Sequence, residues 1–339
     1  NIKLKIKKNE NENENEISLS IEHLTIEDSN ELQNSNTSET TIVQDSGLKR
    51  NTIDKYYTVT QTVDICMKLI SEKLNIGSRD LCIEPSAGNG SFITKIKSLF
   101  QYYKFYDIQP EHPEITKKDY LTFQLSDIDD SNTDSNTDSN DDSNTDSNDA
   151  ASNNNDNVRI HLIGNPPFGR QSSLAIKFIK KSCQFCDTIS FILPRSFKKD
   201  SLKKHFPLNF HLLLETDLPE NSFTINKKFY NVPSVFQIWE KKNIEREAPK
   251  KYQPINFHFV KKTENPDISF RRVGINAGVI NKKIKDKSEQ SHYFIKFNKP
   301  ITEAKFKKLS QITFQNKNDT VGPRSISKNE LIKEFNVII

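Results

Sequence analysis

Asn165-Pro166-Pro167-Phe168 is the segment whose residue types point most directly to chemistry. Each proline fixes φ and lacks an N–H, and a residue before proline is driven extended, so the tetrapeptide predicts a stiff corner. The Asn165 side-chain oxygen and the Pro166 carbonyl are then two acceptors aimed at one point, with the Phe168 ring beside them for stacking. A planar exocyclic amino group can donate both hydrogens to this pair, which frees its lone pair to attack an electrophilic methyl. The alternative interpretation is an ordinary Pro-rich turn.

A second candidate is the segment from Glu84 to Gly90, Glu-Pro-Ser-Ala-Gly-Asn-Gly, which joins a predicted strand to a predicted helix. Gly88 and Gly90 allow the backbone to pass close to a ligand at the nucleotide-binding turn of a Rossmann-type sheet, although the third glycine of the dinucleotide motif is absent. Asp107 ends the next predicted strand, where an acidic side chain would hold ribose hydroxyls. A tight turn and a solvated carboxylate are the alternative interpretations.

The elements that must position these residues alternate between helical and strand patterns, which predicts an α/β, doubly wound, Rossmann-like sheet. Val63, Met67, Ile70 and Leu74 are spaced as in an amphipathic helix over residues 60–75, opened by a threonine cap. Further helices are predicted over 91–100 and 172–181. Strands are predicted over 80–84, 102–107, 158–163, 188–193, 210–214 and 232–239, and, in a small and mainly β C-terminal extension, over 255–260, 268–273 and 292–297.

Composition divides the chain into folded and unfolded parts. Residues 1–50 and 127–157 are rich in Asn, Asp, Glu, Ser and Thr, and we expect a disordered tail and a disordered insert, because such residues cannot build a core. The first contains 6 basic and 10 acidic residues and the second 0 and 10, so the net charge of +4 leaves about +18 on the remainder. This charge predicts a polyanionic partner, nucleic acid before membrane.

Other features exclude classes of protein. The sequence contains no apolar run long enough to span a bilayer and no signal-peptide core, and four cysteines are too few for a disulfide framework. We therefore expect an intracellular protein with reduced thiols. Cys183 and Cys186 form a single CxxC, which favours a buried helix face over zinc, and we predict no metal site.

In its motif series the sequence resembles class I S-adenosylmethionine-dependent methyltransferases of the adenine-N6 (amino) type. Lys55-Tyr56-Tyr57-Thr58 resembles the segment that wraps the cofactor, with Val59 in place of the usual proline. The glycine loop, Asp107, Asp119 and the Asn-Pro-Pro-Phe tetrapeptide follow in the family's order. The resemblance covers roughly residues 51–126 and 158–240, and similar sequences occur in large DNA viruses and microbial eukaryotes, which share the Val-Pro-Ser-Val-Phe-Gln-Ile-Trp strand and Arg271-Arg272-Val273-Gly274.

The resemblance implies a methyltransferase domain over 51–240, interrupted by the insert, and a basic extension over 241–339. It implies S-adenosyl-L-methionine as cofactor, RNA or DNA as partner, and Phe223 as the ring stacking on the opposite face of an extruded base from Phe168. For Phe223 the alternative is a core position. The residues implied in catalysis are Asn165, Pro166, Pro167 and Phe168, and those in cofactor binding are Tyr56, Tyr57, Thr58, Glu84, Pro85, Ala87, Gly88, Gly90, Asp107, Asp119 and Asn165.

Three alternatives to adenine-N6 transfer stay open at this level. Guanine-N2 and protein-glutamine methyltransferases carry the same Asn-Pro-Pro-aromatic corner, since they also act on a planar nitrogen with two hydrogens, although the basic charge disfavours a protein substrate. A catalytically silent nucleic-acid-binding module is the third. Phosphate contacts are predicted for the basic residues Lys198, Lys199, Lys203, Lys204, Arg271, Arg272, Lys282, Lys283 and Lys285.

Overall fold

The computed structural model describes residues 55–129 and 158–339; the expected tail 1–50 and most of the expected insert lie outside the described residues. The strands, in chain order, are β1 (Tyr57–Thr58), β2 (Leu81–Glu84), β3 (Tyr102–Asp107), β4 (Thr116–Lys117), β5 (Ile160–Gly164), β6 (Thr188–Pro194), β7 (Phe210–Asp217), β8 (Phe223–Ile225), β9 (Lys228–Tyr230), β10 (Ser234–Lys241), β11 (Phe257–Val260), β12 (Ile268–Arg271), β13 (Ile280–Asn281) and β14 (His292–Phe297). The α-helices are α1 (Thr60–Lys73), α2 (Ile93–Leu99), α3 (Ser126–Asp129), α4 (Ser173–Ser182), α5 (Asp200–Lys203), α6 (Glu303–Ser310) and α7 (Lys328–Asn336).

The central sheet has seven strands in the order β4-β3-β2-β5-β6-β10-β7. Strands β4, β3, β2, β5 and β6 run parallel, whereas β10 is antiparallel to both β6 and β7. The chain winds outward in one direction from β2 to β4 and in the other from β5 onward, so the order reverses between β2 and β5. Open α/β sheets bind ligands at the carboxyl ends of the strands beside such a reversal. The predicted doubly wound, Rossmann-like α/β fold is confirmed.

Both faces of this sheet are covered, as the doubly wound prediction requires. On β2 the side chains alternate: Cys82 belongs to the core under helix α1, whereas Leu81 and Ile83 belong to the core that contains helix α4. Helix α1 contributes the apolar positions predicted for it, and none of these side chains is more than 6% exposed: Val63, Met67, Ile70 and Leu74. Burial on both faces fixes the register of the strands that carry the candidate site.

A buried polar network joins the opposite, amino-terminal ends of the same strands. His161 on β5 contacts Asp80 (Nε2 to Oδ2, 3.0 Å) and Thr188 (Nδ1 to Oγ1, 2.8 Å), and it is 0% exposed. Burial lowers the pKa of His161, while its contact with Asp80 opposes the fall. Asp80 also accepts the backbone N–H of Gly77 and Arg159, and these hydrogen bonds with that of His161 outweigh its burial and lower its pKa. The network therefore satisfies polar groups that the core would otherwise leave unpaired.

Two sequence predictions need correction at element boundaries. Helix α1 is capped by Val59 with no side-chain hydrogen bond, not by a threonine. The expected insert begins too early, because helix α3 runs to Asp129 and Asp127 binds Lys118 (carboxylate to ammonium, 2.6 Å). Attraction to Lys118 lowers the pKa of Asp127, chiefly through their hydrogen bond.

The C-terminal extension contains the expected antiparallel sheet, in the order β11-β14-β12-β13. It also contains two helices that the sequence reading missed. Helix α7 begins at a capping box in which Ser327 and Glu330 exchange hydrogen bonds, and it buries Leu331 and Phe335 against this sheet. The extension contacts the main sheet's loops through Lys199, whose ammonium donates to the Ser325 carbonyl at 2.6 Å.

Candidate active site

The glycine loop closes tightly between β2 and α2. Gly88 has φ 53° and Gly90 has φ 82°, in the left-handed region that glycine adopts without strain. A Cβ on Gly90 would lie 2.8 Å from Ile93 Cδ1, so a larger residue there would also have to displace the Ile93 side chain. The loop therefore follows the path that the sequence predicted for a ligand-binding turn; Pro85 and Ala87 are buried within it.

Asp107, at the end of β3, supports this loop directly. Its Oδ2 accepts the Gly88 N–H at 2.8 Å and its Oδ1 accepts the Gln109 N–H at 2.7 Å. A carboxylate oxygen has two lone pairs, so each of these oxygens retains one acceptor position. Asp107 thus both fixes Gly88 and presents a carboxylate where ribose hydroxyls were predicted to bind.

Glu84, the last residue of β2, is buried at 2% exposure at the carboxyl end of the strand. Within the described residues its Oε2 has no hydrogen-bond partner. Burial, with a contribution from the charge of Asp107, raises the pKa of Glu84 to about 8. A buried unpartnered carboxyl of this kind favours a cationic or hydrogen-donating ligand, which would supply the missing partner.

The chain before α1 crosses over the glycine loop. The Tyr57 ring lies 3.5 Å from the position of a Cβ on Gly88, and its hydroxyl donates to Glu111 Oε1 at 2.6 Å. Lys55 donates to the same oxygen at 2.7 Å, and the Glu111 N–H donates to the Gly88 carbonyl at 3.0 Å. Burial, reinforced by the hydrogen bond to Glu111, raises the pKa of Tyr57 to about 12. Residues 55–57 therefore lie over the glycine loop, and we call them the clasp.

Asn165 follows β5 and has a defined amide orientation. Its Nδ2 donates to the Tyr56 carbonyl at 3.1 Å and to Thr58 Oγ1 at 3.3 Å. A backbone carbonyl only accepts, so the nitrogen must face the clasp and the oxygen must face away from it. No donor among the described residues bonds Oδ1, which leaves it as an acceptor at the same edge of the sheet as Glu84.

Two further contacts connect the tetrapeptide to the glycine loop, and sequence reasoning missed both. Ser86 Oγ donates to the Asn165 carbonyl at 3.1 Å. Gly164 has φ 150°, and a Cβ there would lie 3.2 Å from Glu84 Cγ, so only glycine lets the two strand ends approach. The glycine directly before Asn-Pro-Pro was the feature of the sequence that could have indicated this close approach.

The aromatic residues of the site are arranged differently from the expected pair of rings. Phe168 is 9% exposed and Phe223 is 1% exposed, and both belong to the core under helix α1. Tyr56 contacts both: its ring is nearly parallel to Phe168, at 28° and 6.5 Å between centroids, and edge-on to Phe223 at 6.3 Å. Tyr56 is the ring that faces Phe168, while Phe223 and Tyr230 also pack against Tyr56.

Other predicted residues lie farther from these contacts. The Asp119 carboxylate is exposed and accepts the Leu121 N–H at 2.9 Å, capping a short 3-10 helix just after β4. Four of the lysines predicted to contact phosphate have acidic partners in this fold instead: Lys198 with Asp217, Lys199 with Glu330, Lys203 with Glu215 and Lys282 with Glu303. Cys183 and Cys186 are free thiols, and burial raises the pKa of both.

No protein-family model and no curated protein matches this chain. Among solved structures, it is similar to a candidate RNA methyltransferase of Pyrococcus horikoshii (15% identity, 58% of this chain and 93% of the other, TM-score 0.37). It is also similar to the 23S rRNA methyltransferase ErmE (12%, 56% and 71%, 0.36) and to TrmN of Thermus thermophilus (12%, 54% and 52%, 0.31). Similarity this low does not bear on the reaction, which must be argued from the site itself.

No helix within residues 55–129 and 158–339 has the length and apolar character of a membrane span. The same part of the chain contains no cluster of three or more His, Cys, Asp or Glu side chains arranged to hold a metal.

Proposed function

We propose that this protein is an S-adenosylmethionine-dependent methyltransferase that acts on an exocyclic amino nitrogen, adenine N6 of RNA or DNA in particular. The observation that supports this most strongly is the orientation of Asn165. Its amide nitrogen is bound to the Tyr56 carbonyl and Thr58, and its oxygen is left as an acceptor beside the glycine loop. A structural asparagine would be expected to bond through both ends when partly buried.

The residues at the crevice fit the cofactor. The unpartnered, buried Glu84 carboxyl suits the cationic methionine part, whose charge would favour the ionised form of Glu84. Asp107 suits the ribose hydroxyls, and the clasp over Gly88 would cover the bound molecule. Tyr57 and Asp119 are proposed to contact other parts of the cofactor. When bound, S-adenosylmethionine supplies an electrophilic methyl group.

The protein's own contribution is to hold the attacking nitrogen. The Asn165 side-chain oxygen and the Pro166 carbonyl accept the two amino hydrogens, which keeps the lone pair out of conjugation with the base. Two prolines limit the movement of these acceptors, so little reorganisation is needed during the reaction. The released proton can leave to water after transfer, and no general base is assigned.

Phe168 is proposed to stack on the base, with Tyr56 as the facing ring. The near-parallel Tyr56 and Phe168 rings have centroids 6.5 Å apart, within the range of aromatic pairs in contact, so a base would enter between them only after the two rings separate. Phe223 would act by holding Tyr56 from its edge. Movement of Tyr56 away from Phe168 would open a space between the two rings for an extruded base.

The substrate class is tested by transfer of a tritiated methyl group to total DNA, total RNA and protein, followed by nucleoside and amino-acid analysis. N6-methyladenine in one nucleic acid is the expected result. Label on guanine N2 or on glutamine would support the methyltransferase activity and show that the substrate is not adenine. Absence of transfer, together with no thermal stabilisation by S-adenosylmethionine, would refute the enzyme and favour a silent binding module.

The role of Asn165 is tested with Asn165→Ala, with Asn243→Ala at an exposed loop position as the matched control. We expect Asn165→Ala to lower kcat/KM more than tenfold, a barrier increase of at least about 1.4 kcal/mol, with cofactor affinity within a few-fold of wild type. Asn243→Ala should keep both. If Asn165→Ala retains more than about a tenth of the rate, Asn165 is not the acceptor of the amino group.

A further inference from the structure

The C-terminal extension contains a cavity of about 320 Å³ at the edge of its sheet, far along the chain from the glycine loop. It lies where strands β11 and β14 pair, next to the start of helix α7. Its principal lining residues are Phe259, Lys261, Lys262, Arg272, Tyr293 and Lys328. Cations and aromatic rings thus share one concave surface outside the proposed methyl-transfer site.

Two cations of this cavity are held in place by aromatic rings. Lys328 Nζ lies 4.6 Å from the centroid of the Phe259 ring and 5.7 Å from that of Tyr293. The Arg272 guanidinium lies 5.5 Å from the Tyr293 ring, and it also donates to the Gln290 carbonyl at 2.7 Å. Ring contacts attract a cation without neutralising it, so both charges remain available to an anion.

The charge of the cavity is unbalanced. Its lining contains four cationic side chains and one carboxylate, Glu289. Within the described part of the chain, none of Lys261, Lys262, Arg272 and Lys328 forms an ion pair, in contrast to the paired Lys198, Lys199 and Lys203. His292, at the cavity wall, has a pKa lowered first by burial and further by the positive charges of Arg271, Lys287 and Lys262.

Size and shape restrict the ligand. A cavity of about 320 Å³ is at the lower end of small-molecule sites, which begin at roughly 300 Å³, and is larger than one carboxylate requires. Unpaired cations interleaved with aromatic rings are the arrangement with which proteins bind single-stranded nucleic acid. A duplex presents its phosphates on a convex surface, whereas a single strand can place one nucleotide in a concavity.

We propose that this cavity binds one phosphate-bearing nucleotide of a single-stranded segment of the nucleic-acid substrate, with Lys261, Lys262, Arg272 and Lys328 as the phosphate contacts. This assignment of the substrate rests on the proposed function. It makes the C-terminal extension a second contact point, separate from the crevice that receives the methylated base.

The test measures binding of fluorescein-labelled oligo-dT and oligo-rU by fluorescence anisotropy, without cofactor. Lys261→Ser/Lys262→Ser is compared with Lys307→Ser/Lys308→Ser, two adjacent exposed lysines of helix α6 that give the same change in net charge. We expect the cavity variant to weaken binding about tenfold or more and the control by less than about threefold. Loss of one neutralised phosphate should also reduce the slope of log K against log salt by about 0.7. Lys328→Gln provides a second, single-site variant.

Equal affinities for the two double variants would overturn the proposal. So would binding of an acidic Ser-Asn-Thr-Asp repeat peptide that the cavity variant loses while oligonucleotide binding is unaffected, because the cavity would then be a site for carboxylates. The proposed function is checked separately, by calorimetric titration with S-adenosylmethionine. A wild type that lacks cofactor binding but shows the difference between the double variants would refute the methyltransferase and support the cavity.

Discussion

Replacing Glu84 with glutamine should separate stability from cofactor binding. In the folded protein the pKa of Glu84 rises from its ordinary 4.5 to about 8. Between these two values the unfolded chain ionises Glu84 while the folded chain keeps it protonated, so the wild type loses stability as the pH rises from about 4.5 to 8. At about 1.4 kcal/mol per pKa unit, the loss at and above pH 8 has an upper limit of about 5 kcal/mol.

The glutamine of Glu84→Gln cannot ionise, so the variant does not lose this stability as the pH rises. Its free energy of unfolding, measured by urea denaturation without cofactor, should therefore increase relative to wild type by several kcal/mol between pH 5 and pH 8. The exposed Glu220→Gln is the control for the substitution itself. On the proposed function, S-adenosylmethionine should stabilise wild type and bind the variant at least tenfold more weakly. A difference between Glu84→Gln and wild type that is the same at pH 5 and pH 8 would refute the reasoning, since the pKa of Glu84 would then be ordinary.

Two further predictions concern the cofactor and the acidic insert. Asp107→Ala should weaken S-adenosylmethionine binding at least tenfold by calorimetry, because lost charge-assisted hydrogen bonds are worth about 1.5–3 kcal/mol each. Unchanged affinity would show that Asp107 does not bind the ribose, and Glu111 would be the next candidate. Replacing residues 130–157 with a short Gly-Ser linker removes eight acidic residues, raises the net charge from +4 to +12, and should tighten nucleic-acid binding while preserving the fold. The gain should be largest at low salt and shrink as screening increases, and equal affinities at low ionic strength would show that the tract is an inert spacer.

The sequence predicted the central sheet well because its signals are local. Buried strands followed by glycine or proline turns, and the helix of Val63 and Ile70, are defined by neighbours a few residues apart. The glycine loop and the tetrapeptide were also placed at one end of the sheet by topology alone, whereas the segment of the clasp was assigned only through the family resemblance. That placement follows from the rule that parallel strands present their carboxyl ends together.

What the sequence did not predict depends on contacts between distant segments. The pairing of Lys198 and Lys203 with acidic residues, and the position of Tyr56 between Phe168 and Phe223, exist only once β7 and β8 are in place. Helices α6 and α7 were missed because lysines interrupt the apolar pattern of their sequences. The capping box of Ser327 and Glu330 nevertheless indicated the start of α7.

The hydrogen bonds of Asn165 to Tyr56 and Thr58 have a consequence for where the domain begins. They span 109 and 107 residues of sequence and come from a short stretch that precedes the first helix. A fragment starting at Thr60 would contain the whole seven-stranded sheet, the glycine loop and the tetrapeptide. It would nonetheless lose both acceptors that orient the Asn165 amide, so a domain boundary placed at the first long helix would leave this side chain without the contacts that fix its orientation.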